Sequence, residues 1–113
     1  METKDILTHH LTAFGNNDLD EIMNDYTEGS EVLTPDGRLK GLSSIRTFFE
    51  KLFVTIPTGS FFEMKQSIIS GNVAYIVWAS ESSVANIPFG TDSFFMEGNK
   101  IKMHTVAAQI LEK

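Results

Sequence analysis

At 113 residues, with 42 % hydrophobic and 21 % charged side chains, the chain has the composition of one globular domain with a single core and room for a modest cavity. Its net charge is −6 and its nine Lys and Arg are scattered, which argues against nucleic acid, a ligand that needs a basic face. Cysteine is absent, so disulfides and thiolate metal or redox chemistry are excluded.

The opening METKDILTHH is polar and lacks the apolar core of a signal peptide, and no run approaches membrane-spanning length. The expectation is a soluble cytoplasmic domain filling residues 1–113, with no membrane partner. Thr3 to Phe14 reads as a helix, because Leu7, Leu11 and Phe14 recur at helical spacing and make one apolar stripe. His10 lies about 60° to one side of that stripe and His9 points nearly away from it, by the ~100° step per residue. Gly15 is a stop signal. Asp18 then caps a second helix running to Tyr26, with Glu21 completing a capping-box pattern and Leu19, Ile22, Met23 and Tyr26 on its buried side.

Glu31 to Thr34 is a short strand closed by the turn Pro35-Asp36-Gly37, and Arg38 to Gly41 returns from it. Leu42 to Phe53 is a third helix with a broad apolar face of Ile45, Phe48, Phe49, Leu52 and Phe53. From Phe61 the texture changes to strands. Phe61–Ser70 and Val73–Ser83 are joined by a hairpin turn at Gly71-Asn72, and Val84 to Phe89 reads as a loop holding Pro88. A final hairpin, Gly90 to Leu111, turns near Gly98-Asn99.

The strand from Val73 is apolar on both parities, with Val73, Tyr75, Val77 and Ala79 on one side and Ala74, Ile76 and Trp78 on the other, so both faces must be covered. Three helices cannot cover both faces of four long strands. The expected architecture is α+β, a curved, mainly antiparallel sheet wrapped on the helices, with the outer face pairing a second subunit through Ile76 and Trp78.

Several phrases resemble the nuclear-transport-factor-2-like superfamily, above all bacterial ketosteroid isomerase and the SnoaL-like polyketide cyclases. They are Ala13-Phe14 through Asn17-Asp18-Leu19-Asp20, Pro35 through Gly41 into Ser44-Ile45-Arg46, and Asp92-Ser93-Phe94-Phe95 through Gly98-Asn99-Lys100-Ile101. The resemblance covers nearly the whole chain. It implies a cone-shaped α+β barrel with a deep pocket between sheet and helices, and a homodimer. It also implies that Asp92 matches the isomerase aspartate that stays protonated and donates a hydrogen bond to the developing oxyanion. His10 stands where that isomerase has its oxyanion-hole tyrosine, and Tyr26 matches an aromatic of the same network. Thr34, before Pro35, stands where the isomerase has its general base, so ketosteroid isomerisation by that mechanism is not expected.

Independently of the resemblance, Asp92 is a carboxylate in an apolar run, and burial there would favour its neutral form and fit it for proton transfer; the plainer alternative is an acid capping a strand start in water. Whether His104 joins it depends on the hairpin. A three-residue loop, Glu97-Gly98-Asn99, sets Asp92 opposite His104 on one face, whereas a two-residue loop sets Asp92 opposite Thr105 and turns His104 away. Alignment to the isomerase favours the former. Phe14, Phe48, Phe49, Phe53, Val77 and Phe94 are expected to line the cavity with Tyr26 and Thr34, which suits an apolar, ring-containing ligand; the alternative is that they only fill the core. Neither His9-His10 nor His104 has metal-ligand spacing, and no cofactor is expected. The expected enzyme is an isomerase, cyclase or dehydratase whose catalytic residues are Asp92, as the acid/base group, with His10 and then His104 and Tyr26 as candidates to aid it. The alternative is a non-catalytic binding or dimerisation module.

Overall fold

The computed structural model describes residues 2–113. Nine elements follow one another: α1 (Thr3–Gly15), α2 (Leu19–Met23), β1 (Glu31–Thr34), β2 (Gly37–Lys40), α3 (Leu42–Thr55), β3 (Phe61–Ser70), β4 (Val73–Glu81), β5 (Ala85–Glu97) and β6 (Lys100–Glu112). The Asp5 carboxylate accepts the Glu2 backbone N–H at the start of α1. The chain leaves α1 through Asn17, whose φ of 50° takes the left-handed turn expected of Gly15. Asp18 caps α2 as its sequence predicts, accepting from the Glu21 N–H, but the helix stops at Met23, short of Tyr26.

All six strands form one sheet in the order β2-β1-β6-β5-β4-β3, with β1 and β6 parallel and every other pair antiparallel. The segment expected as a loop around Pro88 belongs to β5. Pro88 has no N–H to give a ladder, and the pairings on both sides slip nearby, between Trp78 and Ser80 on β4 and between Asn86 and Phe89 on β5. Such slips bend the strands, and the sheet curls around the helices. The concave side carries Ala74, Ile76, Trp78, Ile87, Phe94, Met96 and Ile101, packed against Ile6, Leu7, Ala13, Ile22, Ile45 and Phe49.

Two expectations about β4 are corrected here. Its parity division is right but its faces are reversed. Ile76 (2 % exposed) and Trp78 (5 %) point into the core, so they are not an outer dimer face. Val77 alternates with them and turns to the outer face, away from the cavity it was expected to line. Because both parities are apolar, the pattern of β4 contains no information about which one meets the helices.

Candidate functional site

The last hairpin sets the site. Glu97 pairs with Lys100, so the turn is the two-residue Gly98-Asn99, with φ of 59° and 64°. By itself this turn would face His104 outward. Between Phe95 and Met96 the register slips, however, because Lys102 is an extra residue in β6. The cause lies next door: the Ile101 N–H donates to the Asp25 carbonyl at 2.7 Å, the Ser30 hydroxyl donates to the Ile101 carbonyl at 2.6 Å, and the Lys102 ammonium donates to the Gly29 carbonyl at 3.1 Å. These bonds draw the start of β6 toward residues 25–30. The bulge then restores the parity a three-residue loop would have had, displaced along the strand. Asp92 lies opposite Val106 and His104 opposite Phe94, and both side chains share the concave face as diagonal neighbours.

Four side chains join in a buried chain. The Asp92 carboxylate accepts the Trp78 indole N–H at 2.7 Å on Oδ1 and meets His104 Nε2 at 2.6 Å on Oδ2, and His104 Nδ1 meets the Tyr26 hydroxyl at 2.9 Å. Donor counting fixes the protons. With Nε2–H donating to Asp92, Nδ1 is bare and accepts from Tyr26, and every polar atom in the chain is used. The opposite tautomer would leave the Tyr26 hydroxyl proton without an acceptor. Burial, and next the Asp92 charge, push the Tyr26 phenol well above 10, so it keeps the proton it donates. Gly90 makes room for this arrangement. It pairs with Trp78 across β4 and β5, and a Cβ there would lie 2.5 Å from the indole ring. Asp92 is thus an acceptor of two N–H donors, which reverses the donor role that the likeness to the isomerase implied for it.

His10 stands beside this chain, its ring centroid 5.0 Å from that of Phe94 and 5.8 Å from that of His104. Burial, and then the neighbouring His104 and His9, hold it well below 6.5, so it is neutral. Its Nδ1 is buried without a hydrogen-bond partner, with Asp25 Oδ2 3.9 Å away. Asp25 and His9 were not foreseen. His9 Nδ1 meets both Asp25 oxygens, at 2.8 and 2.9 Å, and its Nε2 meets Glu21 at 2.6 Å. Those hydrogen bonds, Glu21's first, raise the His9 pKa, while burial pushes Asp25 up further than His9 pulls it down. The helical wheel put His9 on the far side of α1 correctly. What it lacked was that α2 and the turn after it fold back over that side.

The cavity is divided. A cleft of about 550 Å³ opens between α3 and the strands, walled among others by Thr34, Asp36, Thr47, Phe48, Lys51 and Ile110. Beside it, a space of only about 30 Å³ reaches inward from the exposed Phe62 to His10, Phe14, Phe49, Phe94 and Asp92, and Leu52, Trp78 and Val106 belong to the walls of both spaces. The aromatic side chains expected to leave a deep pocket therefore largely fill it. Thr34 and Phe48 reach the cleft, while Phe14, Phe49 and Phe94 reach the void. Phe53 packs against Phe14 at 5.4 Å and Tyr26 against His104, and neither lines the cleft or the void. His104, 1 % exposed, does not line the void; it lies behind Asp92 and Phe94, which do. The Thr34 hydroxyl donates to the Gly37 carbonyl and accepts the Asp36 N–H, so it closes the β1–β2 turn. Among the described residues no group of three or more His, Asp or Glu is gathered to hold a metal ion, and no helix is long and apolar enough to cross a membrane.

Residues 7–108 match the sequence profile of the SnoaL-like domain. No curated protein matches the chain. Similar solved structures include an NTF2-like protein of unknown function from Cytophaga hutchinsonii (TM-score 0.77, 14 % identity, 96 % of this chain and 91 % of that one). A candidate ketosteroid isomerase from Kribbella flavida superposes with a TM-score of 0.78 at 11 % identity, over 95 % of this chain and 77 % of that one. A candidate polyketide cyclase from Sinorhizobium meliloti gives 0.72 at 16 % identity, over 94 % and 99 %. At such identities the likeness is one of fold: an NTF2-like α+β cone, as the sequence resemblance implied.

Proposed function

The chain belongs to the SnoaL-like domain family, and from that premise we propose that it takes an apolar, ring-containing small molecule into the cleft beside α3 and moves a proton with Asp92, as an isomerase, cyclase or dehydratase without a cofactor. One observation carries this reading. A buried carboxylate, oriented on both oxygens by Trp78 and His104, sits at the wall of a void that adjoins an open, largely apolar cleft. In this arrangement Asp92 is the group that accepts a proton from the ligand. His104 and Tyr26 do not reach the ligand; they hold Asp92 in place. His10 contributes a second, neutral polar group at the same wall. Ring alcohols, enols and hydroxyketones are the substrates to screen. Asp92→Asn should lower turnover of any substrate so found by about 10²–10⁴-fold, the range for removing a positioned acid/base group. Unchanged turnover in a folded variant would refute the assignment.

A second reading, a binder without chemistry, is favoured by the smallness of the void and by Asp92 oxygens that are already hydrogen-bonded. It predicts saturable binding with the ligand recovered intact.

We also propose that the outer sheet face pairs with a second copy of the chain. Ile68 (48 % exposed), Val73 (39 %), Tyr75 (37 %) and Phe95 (38 %) support this, since they form an apolar group on neighbouring strands of that face. Sedimentation of wild type against Tyr75→Glu tests it: a wild-type dimer that becomes monomeric is expected, and a monomeric wild type refutes it.

A further inference from the structure

The polarity of the inner wall says what kind of group can enter it. The void is apolar apart from Asp92, His10 and the indole of Trp78, whose N–H is spent on Asp92. Asp92 already accepts from two donors and has only lone pairs left to offer.

His10 requires a separate argument. Buried and neutral, it carries one proton. Its Nδ1 has no hydrogen-bond partner, and its nearest charged neighbour is Asp25 Oδ2 at 3.9 Å. Asp25 in turn receives Nδ1 of His9, whose Nε2 meets Glu21, so both nitrogens of the His9 ring face carboxylates and both donate. The cations facing Asp25 are thus His9 and, at longer range, Lys100. A bare Nδ1 on His10 would set a lone pair against the Asp25 oxygen, acceptor against acceptor. A protonated Nδ1 sets N–H toward it. That contrast favours a proton on Nδ1, which would leave Nε2 as an acceptor on a ring that walls the void.

We infer that the inner site accepts a hydrogen-bond donor, namely the hydroxyl of a ring alcohol, phenol or enol whose ring lies in the cleft, and that it rejects the carbonyl or oxyanion that the isomerase-like reading of the same positions would admit. Asp25 and His9 are positioning residues for this polarity, because they fix the tautomer of His10. The size agrees: about 30 Å³ accommodates a water-sized group such as a hydroxyl, and not a ring. The inference rests on the reading of the cleft as the ligand site, but not on catalysis.

The test compares 2-decalol with 2-decalone, which have the same rings and differ in donating or only accepting. Binding is read from the fluorescence of Trp78, the single tryptophan, whose ring walls both spaces. The alcohol should bind about tenfold more tightly than the ketone, the ratio expected for one hydrogen bond to a charged group. Equal or tighter binding of the ketone overturns the inference, and so does failure of both to bind at millimolar concentration. A second readout needs no ligand. Nitrogen-15 NMR of the wild-type histidines should find the His10 proton on Nδ1, and a proton on Nε2 overturns the inference. Preference for the alcohol without turnover of any ring substrate would refute the catalytic reading and leave this one standing; turnover with preference for the ketone would do the reverse.

Discussion

His104 meets Asp92 at 2.6 Å and His9 meets Asp25 at 2.8 Å, yet the same two functional groups do different work in the two places. The His104 side chain is 1 % exposed and sits in a line of hydrogen bonds in which every polar atom has a partner. Its pairing needs no net charge on the ring, and solvent and salt barely reach it. The His9 side chain is 31 % exposed, lies between two carboxylates and is held by its charge. Screening reduces what such a pair contributes. Depth, not distance, separates a structural imidazole from an electrostatic one here, and His10 matches neither: it is buried like His104 but incompletely partnered.

The sharpest way to break the comparison is to remove each imidazole in turn. His104→Leu strands a buried carboxylate and a buried phenol, and urea denaturation should register a loss of about 3–5 kcal/mol, the usual cost of removing one partner of a buried pair. Gly90→Ala comes next. The added methyl would collide with the Trp78 ring, displace the indole from Asp92, and cost about 1–3 kcal/mol with a shift in tryptophan emission.

Acid sharpens the contrast through His10. Its folded pKa lies below 6.5, so the unfolded chain takes up a proton that the folded chain refuses. Stability should therefore fall below pH 6.5 by about 1.4 kcal/mol per pH unit relative to His10→Phe, which lacks the group; denaturation of both proteins from pH 5 to 8 measures the difference. His9 has the opposite sign. Its pKa is raised on folding, so its contribution is complete below 6.5 and is lost as pH rises through the folded value. His9→Gln should then cost no more than about 1 kcal/mol at pH 6, less at pH 8 and less in high salt.

The elements whose signals are local were legible in the sequence. β1 and β3 have the expected limits, Asp18 caps α2, and Gly98-Asn99 makes the turn. What escaped was decided by neighbours distant in sequence. Nothing within Val73–Glu81 says which parity meets the helices, and so Ile76, Trp78 and Val77 were placed on the wrong faces. Pro88 suggested a loop, but proline is tolerated at an irregular point of a strand, and β5 passes through it. Asp92 and His104 were expected to share a face, and do, although not through the loop proposed. The Lys102 bulge depends on bonds to Asp25, Gly29 and Ser30, some seventy residues earlier. The pairing of His9 with Asp25 and Glu21 likewise depends on how α2 folds back, which no periodicity along α1 encodes.

That bulge has a consequence for anyone who edits the loop. Two turn residues and Lys102 make three residues outside the ladder, and the three pairs between them and Phe94 set His104 on the face of Asp92. Deleting Lys102 alone need not unseat His104, because a regular ladder from the same turn with one residue fewer still sets it opposite Phe94. Inserting one residue into the turn leaves these pairs intact as long as Glu97 still meets Lys100; if the turn instead stays at two residues and the extra residue joins the ladder, every side chain after it changes sides. Loop grafts onto this hairpin can thus vary in length, provided Glu97 and Lys100 still close the loop.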